Sequence, residues 1–235
     1  MSARSPFRYF KTSPSIIRLA VMMYVRFPLS LRNVEDLLHE RGIDVSYETI
    51  RFWWNRFGPM FASEIRKRRV DRMRAFSAWR WHLDEVFVKV NGKRRYLWRA
   101  VDHEGEVLEA VVTERRDKRA ALKLLKKLMK RYGRPSEVVT DRLASYRAAF
   151  RDLGMAGKQV AGRWLNNRIE NSHQAFRRGV CAMLCFRRMG NLQNFATLHS
   201  SVNNRFNLGR HLCQEDDVKE SRRAALAEWR RLIEA

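Results

Sequence analysis

The sequence predicts a mixed α/β domain preceded by an all-α unit, and three observations carry that reading. Apolar residues recur at helical spacing up to about residue 75, the period switches to alternation from Trp79, and helical spacing returns beyond Gly162. With 45% hydrophobic and 11% aromatic residues among 235, the chain can bury a core although 31% of it is charged.

Ser13-Pro14 reads as an N-cap with proline at the first helical position, leading into Ile16, Ile17, Ala20, Met23 and Tyr24 and a helix ending near Arg26. Pro28 breaks the chain, Ser30 caps a second helix with Val34, Leu37 and Leu38 on one face, and Gly42 stops it. Ser46 caps a third helix carrying Ile50, Trp53 and Phe57. Two helices joined by a glycine-containing turn outline a helix-turn-helix, whose last helix would present Tyr47, Glu48, Arg51, Trp54 and Asn55 to a DNA groove. A plain three-helix bundle fits the same pattern. Lys67, Arg68, Arg69, Arg72 and Arg74 form a basic connection onward.

From Ser77 to Val90, Trp81, Leu83, Glu85 and Phe87 fall on one strand face and His82, Asp84, Val86, Val88 and Val90 on the other. Asn91-Gly92 signals a two-residue hairpin into a second strand, Arg95 to Val101, and a third follows from Val107 to Val112. A helix from Lys118 to Arg131, a short strand from Glu137 to Thr140 that ends at Asp141, and a helix from Ser145 to Leu153 complete the series. Strand, strand, strand, helix, strand, helix is the order of a ribonuclease H-like fold, a mixed sheet flanked by helices. Helices at Asn167 to Arg188, Leu192 to Phe206 and Lys219 to Ile233 come after it. The expected division is 1–75 for the helix-turn-helix with its basic linker, 76–190 for the ribonuclease H-like domain and 191–235 for a C-terminal helical extension.

The formal net charge is +23, with 15 basic against 7 acidic residues in 1–75, 22 against 12 in 76–175 and 11 against 6 in 176–235. An excess spread over every segment suits a surface that follows a long polyanion, DNA or RNA; a ribosome-like or anionic-membrane binder is the alternative. No stretch approaches the roughly 20 apolar residues of a membrane span, and the N-terminus lacks a signal peptide's apolar region, so a cytoplasmic protein is expected. Cys181, Cys185 and Cys213 form no CxxC pair; with His211 they could be drawn as a zinc site, but small buried thiols are the simpler reading.

Asp84 within an otherwise apolar strand face is costly unless paired or metal-bound. Asp141 can meet it if the first and fourth strands are neighbours, and Glu170 can reach both from a helix across that sheet edge. Carboxylates on rigid elements suit Mg²⁺, and a pair of such ions about 4 Å apart serves phosphodiester chemistry. Each residue has another reading: Asp141 as a turn former or helix cap, Glu170 as an exposed helical acid.

The segments Trp81-His82-Leu83-Asp84-Glu85, Tyr96-Leu97-Trp98-Arg99-Ala100-Val101-Asp102, Val139-Thr140-Asp141 and Asn166-Asn167-Arg168-Ile169-Glu170-Asn171-Ser172-His173 resemble DDE transposases of bacterial insertion sequences, in particular the insertion-sequence-six family. The resemblance covers nearly the whole chain. It implies that Asp84, Asp141 and Glu170 are the catalytic, metal-binding triad, served by Mg²⁺ or Mn²⁺, two ions in all. It implies a DNA-phosphate contact at Arg177, with His173 and Gln174 on the same helix face, and Glu85 and Asp102 as decoys. It also implies recognition of terminal inverted repeats by the N-terminal helices, hydrolysis at the element's end, attack of the freed 3′-OH on target DNA, a homodimer or larger assembly, and a place on the bacterial nucleoid. A helix-turn-helix protein with an inactive ribonuclease H-like part, or a metal nuclease without strand transfer, are the competing readings. Three features depart from the family: a short span of 28 residues between Asp141 and Glu170, the run Gly179-Val180-Cys181-Ala182-Met183-Leu184-Cys185 where charged sequence is usual, and the acidic Glu215-Asp216-Asp217 where a basic segment is expected.

Overall fold

The computed structural model describes residues 5–73, 80–141, 143–162, 165–182, 186–206 and 215–232. The N-terminal helices are α1 (Pro14–Arg26), α2 (Leu31–His39) and α3 (Tyr47–Met73). Pro14 opens α1 after Ser13, and Ser30 and Asn33 form a capping box on α2. α3 is longer than a recognition helix needs and continues through Pro59. Its second half carries Phe61 and Ala62 into the core, so residues 67–73 of the expected basic linker are helix.

The strands are β1 (Arg80–Val90), β2 (Lys93–Val101), β3 (Val107–Thr113), β4 (Glu137–Thr140) and β5 (Gln159–Ala161). Asn91 and Gly92 have φ of 48° and 73°, the two left-handed positions that a tight hairpin turn with the sheet's twist requires. β5, three residues long and without apolar alternation, carries no sequence signal that predicts it. Sheet order is β3-β2-β1-β4-β5, with β1, β2 and β3 antiparallel and β4 and β5 parallel to β1. That order is the ribonuclease H-like arrangement.

Between the strands lie α4 (Lys118–Tyr132), capped by Asp117, and α5 (Ala144–Asp152). After the sheet come α6 (Asn167–Ala182), α7 (Met189–Phe206) and α8 (Glu215–Arg230). α6 is described to Ala182 and has ended by Phe186, short of the expected Arg188, where Asn91 N–H donates to the Phe186 carbonyl at the tip of β1.

Two cores sandwich the sheet. Trp81, Leu83 and Trp98 on one face pack with Leu124, Leu128, Tyr146 and Phe150 of α4 and α5. On the other face Val86, Val88 and Val90 join Phe195 and Leu198 of α7, and that core continues without a break through Trp54, Phe57 and Phe61 of α3, Ile17 and Tyr24 of α1, and Trp229 of α8. One core therefore runs through all three segments into which the sequence divides. Trp54, expected on the DNA-facing side of α3, is 5% exposed, with its ring against Tyr24 and Phe195.

Gly179 has a packing reason. A Cβ there would lie 3.1 Å from Phe195 Cζ and 3.6 Å from His199 Cδ2, so glycine lets α6 sit close on α7. Gly179→Leu is therefore expected to lower the unfolding free energy by about 1–3 kcal/mol in urea titrations, because the larger side chain must push Phe195 aside.

Candidate active site

The register of β1 fixes where its acids lie. On the β2 side Asp84 stands opposite Arg99. On the β4 side His82 pairs with Val139, so Asp84 and Asp141 lie level, each two residues further along parallel strands. Asp141 follows Thr140, the last residue of β4.

Carboxylate oxygens of Asp84, Glu85 and Asp141 lie within 4.8 Å of one another. Glu85, expected as a decoy, thus lies in the same group. Alternation does put it on the other face of β1, where Tyr146 Oη donates to Oε2 at 2.9 Å and Arg116 Nε to Oε1 at 2.6 Å. Asp141, however, lies past the end of β4, where no strand backbone separates the two faces. Arg116 Nη2 spans the group, lying 3.4 Å from Asp141 Oδ2. Asp102, the other expected decoy, does sit in a turn, accepting the N–H groups of Glu104 and Glu106.

Burial, then the charge of Asp141, pushes the Glu85 pKa up to about 7 against the pull of Arg116. Asp141 is raised too, by burial and by Asp84, although Leu143 N–H and Arg116 oppose this. Burial, reinforced by Glu85, holds the Tyr146 phenol well above its ordinary range, so it stays a donor. Three carboxylates this close favour a cation among them. Two oxygens bound to one Mg²⁺ or Ca²⁺ at about 2.0–2.6 Å lie at most about 4–5 Å apart, so the hard donors Asp84, Glu85 and Asp141 fit a divalent ion.

α6 is pinned to the same place. Asn166 Nδ2 donates to the Leu83 carbonyl at 3.1 Å, and Arg99 Nη1 donates to the Ser172 carbonyl at 2.7 Å. Arg99 Nη1 also lies 3.5 Å from His173 Nδ1. Arginine has no acceptor, so Nδ1 accepts and the Nε2–H donates to Asp84 Oδ2 at 3.1 Å. Burial, with Arg99 and Arg177 nearby, lowers the His173 pKa and keeps the ring neutral despite the Asp84 bond. His173, expected to face DNA, is instead 2% exposed and holds one oxygen of Asp84. Arg99 is fully buried, and its Nε and Nη2 have no hydrogen-bond partner. Burial lowers its pKa to about 9, and its guanidinium lies 5.5 Å from the Phe176 ring centroid.

Glu170 is exposed on α6 and borders, with Asp84, Glu85, His173, Gln174 and Arg177, a cavity of about 560 Å³. It does not join the 4.8 Å group. Of the expected triad, the structure thus gathers Asp84 and Asp141 and leaves Glu170 at the rim. Arg177 and Gln174 are exposed on that rim. On α3, Asn55 is exposed, whereas Arg51 pairs with Glu48 at 2.6 and 2.7 Å and lies over the Tyr47 ring. Cys181 is exposed; Cys185, His211 and Cys213 lie outside the described residues. Sequence reasoning missed Arg116 and Tyr146, which act from a loop and a helix with no motif of their own. Arg99 had a signal: a hairpin closing at Asn91-Gly92 sets it opposite Asp84.

Two outcomes follow from these charges. Because the Glu85 pKa is raised, between about pH 4.5 and 7 the folded chain keeps a proton that the unfolded chain has released, and this group's contribution to stability falls as pH rises. In chelator-containing buffer, Glu85→Gln is expected to flatten that decline in urea midpoints across the window. Arg99→Met is expected to hold or raise stability, by up to about 4 kcal/mol, since a buried charge without an acid partner is costly. The same variant should lose roughly 10- to 100-fold in Mn²⁺ affinity, read by calorimetry, as His173 and Asp84 lose their support.

A model of the DDE domain, of the IS240 type, matches residues 78–208, more than half of the chain. The transposase for the insertion sequence-like element IS431mec of Staphylococcus aureus is 32% identical over 173 residues, covering 72% of this chain and 75% of that protein. The transposase for insertion sequence element IS257 in transposon Tn4003, also from Staphylococcus aureus, gives the same figures. The HTLV-2 integrase catalytic core domain in complex with magnesium superposes with a TM-score of 0.40 at 12% identity, over 55% of this chain and 87% of that one, which adds nothing to the strand order. On the family model and the identity to these relatives, the chain belongs to the insertion-sequence-six family of DDE transposases.

Proposed function

We propose that the chain binds the terminal inverted repeats of its insertion sequence, hydrolyses a phosphodiester at each end and transfers the freed 3′-OH into target DNA. The observation that carries this is the meeting of Asp84 and Asp141 at the edge of two parallel strands, beside a cavity bordered by Glu170, Gln174 and Arg177. Asp84, Asp141 and Glu170 are the catalytic residues in this reading. Mg²⁺ or Mn²⁺, as two ions, would be held between Asp84 and Asp141, with Glu85 in reach of the same ion and Glu170 completing the set from the cavity rim, and would polarise the phosphoryl oxygens and lower the pKa of a bound water.

The chain's own groups do the positioning. His173 occupies one oxygen of Asp84 and leaves the other free. Arg116 and Tyr146 fix Glu85. Arg177, two helical turns after Glu170 and about 10 Å along α6, is placed to hold a DNA phosphate. Tyr47, Arg51 and Asn55, spaced four apart on α3, offer a face to the inverted repeat; releasing Arg51 from Glu48 would free it for phosphate or base. The net charge of +23 supports a surface that follows DNA. Two ends cut and joined together call for a dimer or larger assembly, working on the bacterial nucleoid in the cytoplasm. Among the described residues, no helix is long and apolar enough to cross a membrane.

The test is incubation with Mg²⁺ or Mn²⁺, a labelled inverted-repeat end and a supercoiled target. Joined products are expected from the wild type, and Asp84→Ala, Asp141→Ala and Glu170→Ala should each lower them at least about 100-fold, beyond the loss typical of a supporting residue. Binding without cleavage would overturn the enzymatic reading, and cleavage without joining would replace it with a nuclease.

A further inference from the structure

Phe87 is 61% exposed, whereas Val86, Val88 and Val90 beside it on β1 are buried. A single exposed phenylalanine is ordinary. Its place is not: the ring borders the same cavity as Asp84 and Glu170, Arg94 lies over it at 5.0 Å, and Tyr96, its partner across the hairpin, borders the cavity as well. The cavity is thus lined by carboxylates, by Arg94, Arg116 and Arg177, and by a largely exposed aromatic ring. A phosphate needs the cations but has no use for the ring; a nucleotide uses both. A volume of about 560 Å³ lies within the range of about 300–1,000 Å³ usual for small-molecule pockets.

We infer that Phe87 is a stacking platform for one unpaired nucleobase of the DNA strand whose phosphate enters this cavity. The inference rests on the proposed DNA substrate and adds to it. In an intact duplex both faces of a base are covered by neighbours, so the ring can take only a base that is frayed, flipped or at a strand end. Arg94, held over the ring, supplies a cation for the phosphate next to that base.

The experiment measures binding of the full chain, in chelator so that no chemistry occurs, to an inverted-repeat end with a short unpaired strand. The oligonucleotide is used intact and with single abasic positions. For the wild type, one position next to the end should cost roughly 5- to 150-fold in Kd when made abasic, the range set by one base–aromatic stack. Phe87→Ala should bind the intact end that much more weakly and be indifferent to the abasic change at that position, while Phe87→Trp should restore both. Circular dichroism melting should be the same for all three proteins. Undiminished binding by Phe87→Ala, or a loss equal at every abasic position, overturns the platform while leaving the proposed function standing. Weaker binding that tracks loss of a dimer in sedimentation also overturns it, by making Phe87 a contact between copies of the chain. Failure of the wild type to bind any end overturns both.

Discussion

The parallel pairing of β1 with β4 is the constraint from which the candidate active site is built, because it brings Asp84 level with Asp141 from two distant parts of the sequence. The pairing is short, three residue pairs from Arg80 to His82, so it depends on the rest of the sheet for support. Long antiparallel pairing with β2 holds β1 on the other side and puts Arg99 opposite Asp84. A slip of one residue in either register would turn Asp84 to the α4 and α5 face. From Leu83 and Arg99 the constraint passes to α6, whose start is tied to both strands, and so to Glu170 and Arg177.

Charge at the site is divided between two unlike arginines. Arg116 is partly exposed and satisfies carboxylates directly; Arg99 is sealed beneath α6 and touches none. Its contacts go to a backbone carbonyl and a neutral histidine, and through that histidine to Asp84. Loss of solvation by Arg99 is thus tolerated for orientation rather than for ion pairing. The raised pKa values of Glu85 and Asp141 show the complementary strain, three carboxyl groups crowded into a space that suits a cation.

Much of the fold was legible because its signals are local. Ser13-Pro14, Ser30 with Asn33, and Asn91-Gly92 act within a few residues of themselves, and the helix and strand they delimit follow the expected boundaries closely. What was not legible depends on distant contacts. Trp54 looked exposed on the period of α3, but α1 and α7 cover it. Glu85 obeyed strand alternation and still reached Asp141, because β4 ends where it does. Gly179, in a run where charged sequence is usual, lets α6 pack closely on Phe195 of α7. Of the three proposed catalytic residues, Asp84 and Asp141 were readable from strand order, whereas Glu170 rests on the motif around it.

The continuous core from α1 through α3 and α7 to β1 carries a consequence for how such an element changes its specificity. DNA-recognition units that hang on linkers can be exchanged between proteins like cassettes. Here Trp54, Phe57 and Phe61 of α3, the helix proposed to read the ends, belong to the same core that α7 carries onto the sheet, so a transplanted N-terminal unit would arrive with the wrong interior. On the proposed end-reading role of α3, divergence toward new end sequences would be channelled into point changes on its exposed side, and an element's ends and its transposase would drift together in small steps.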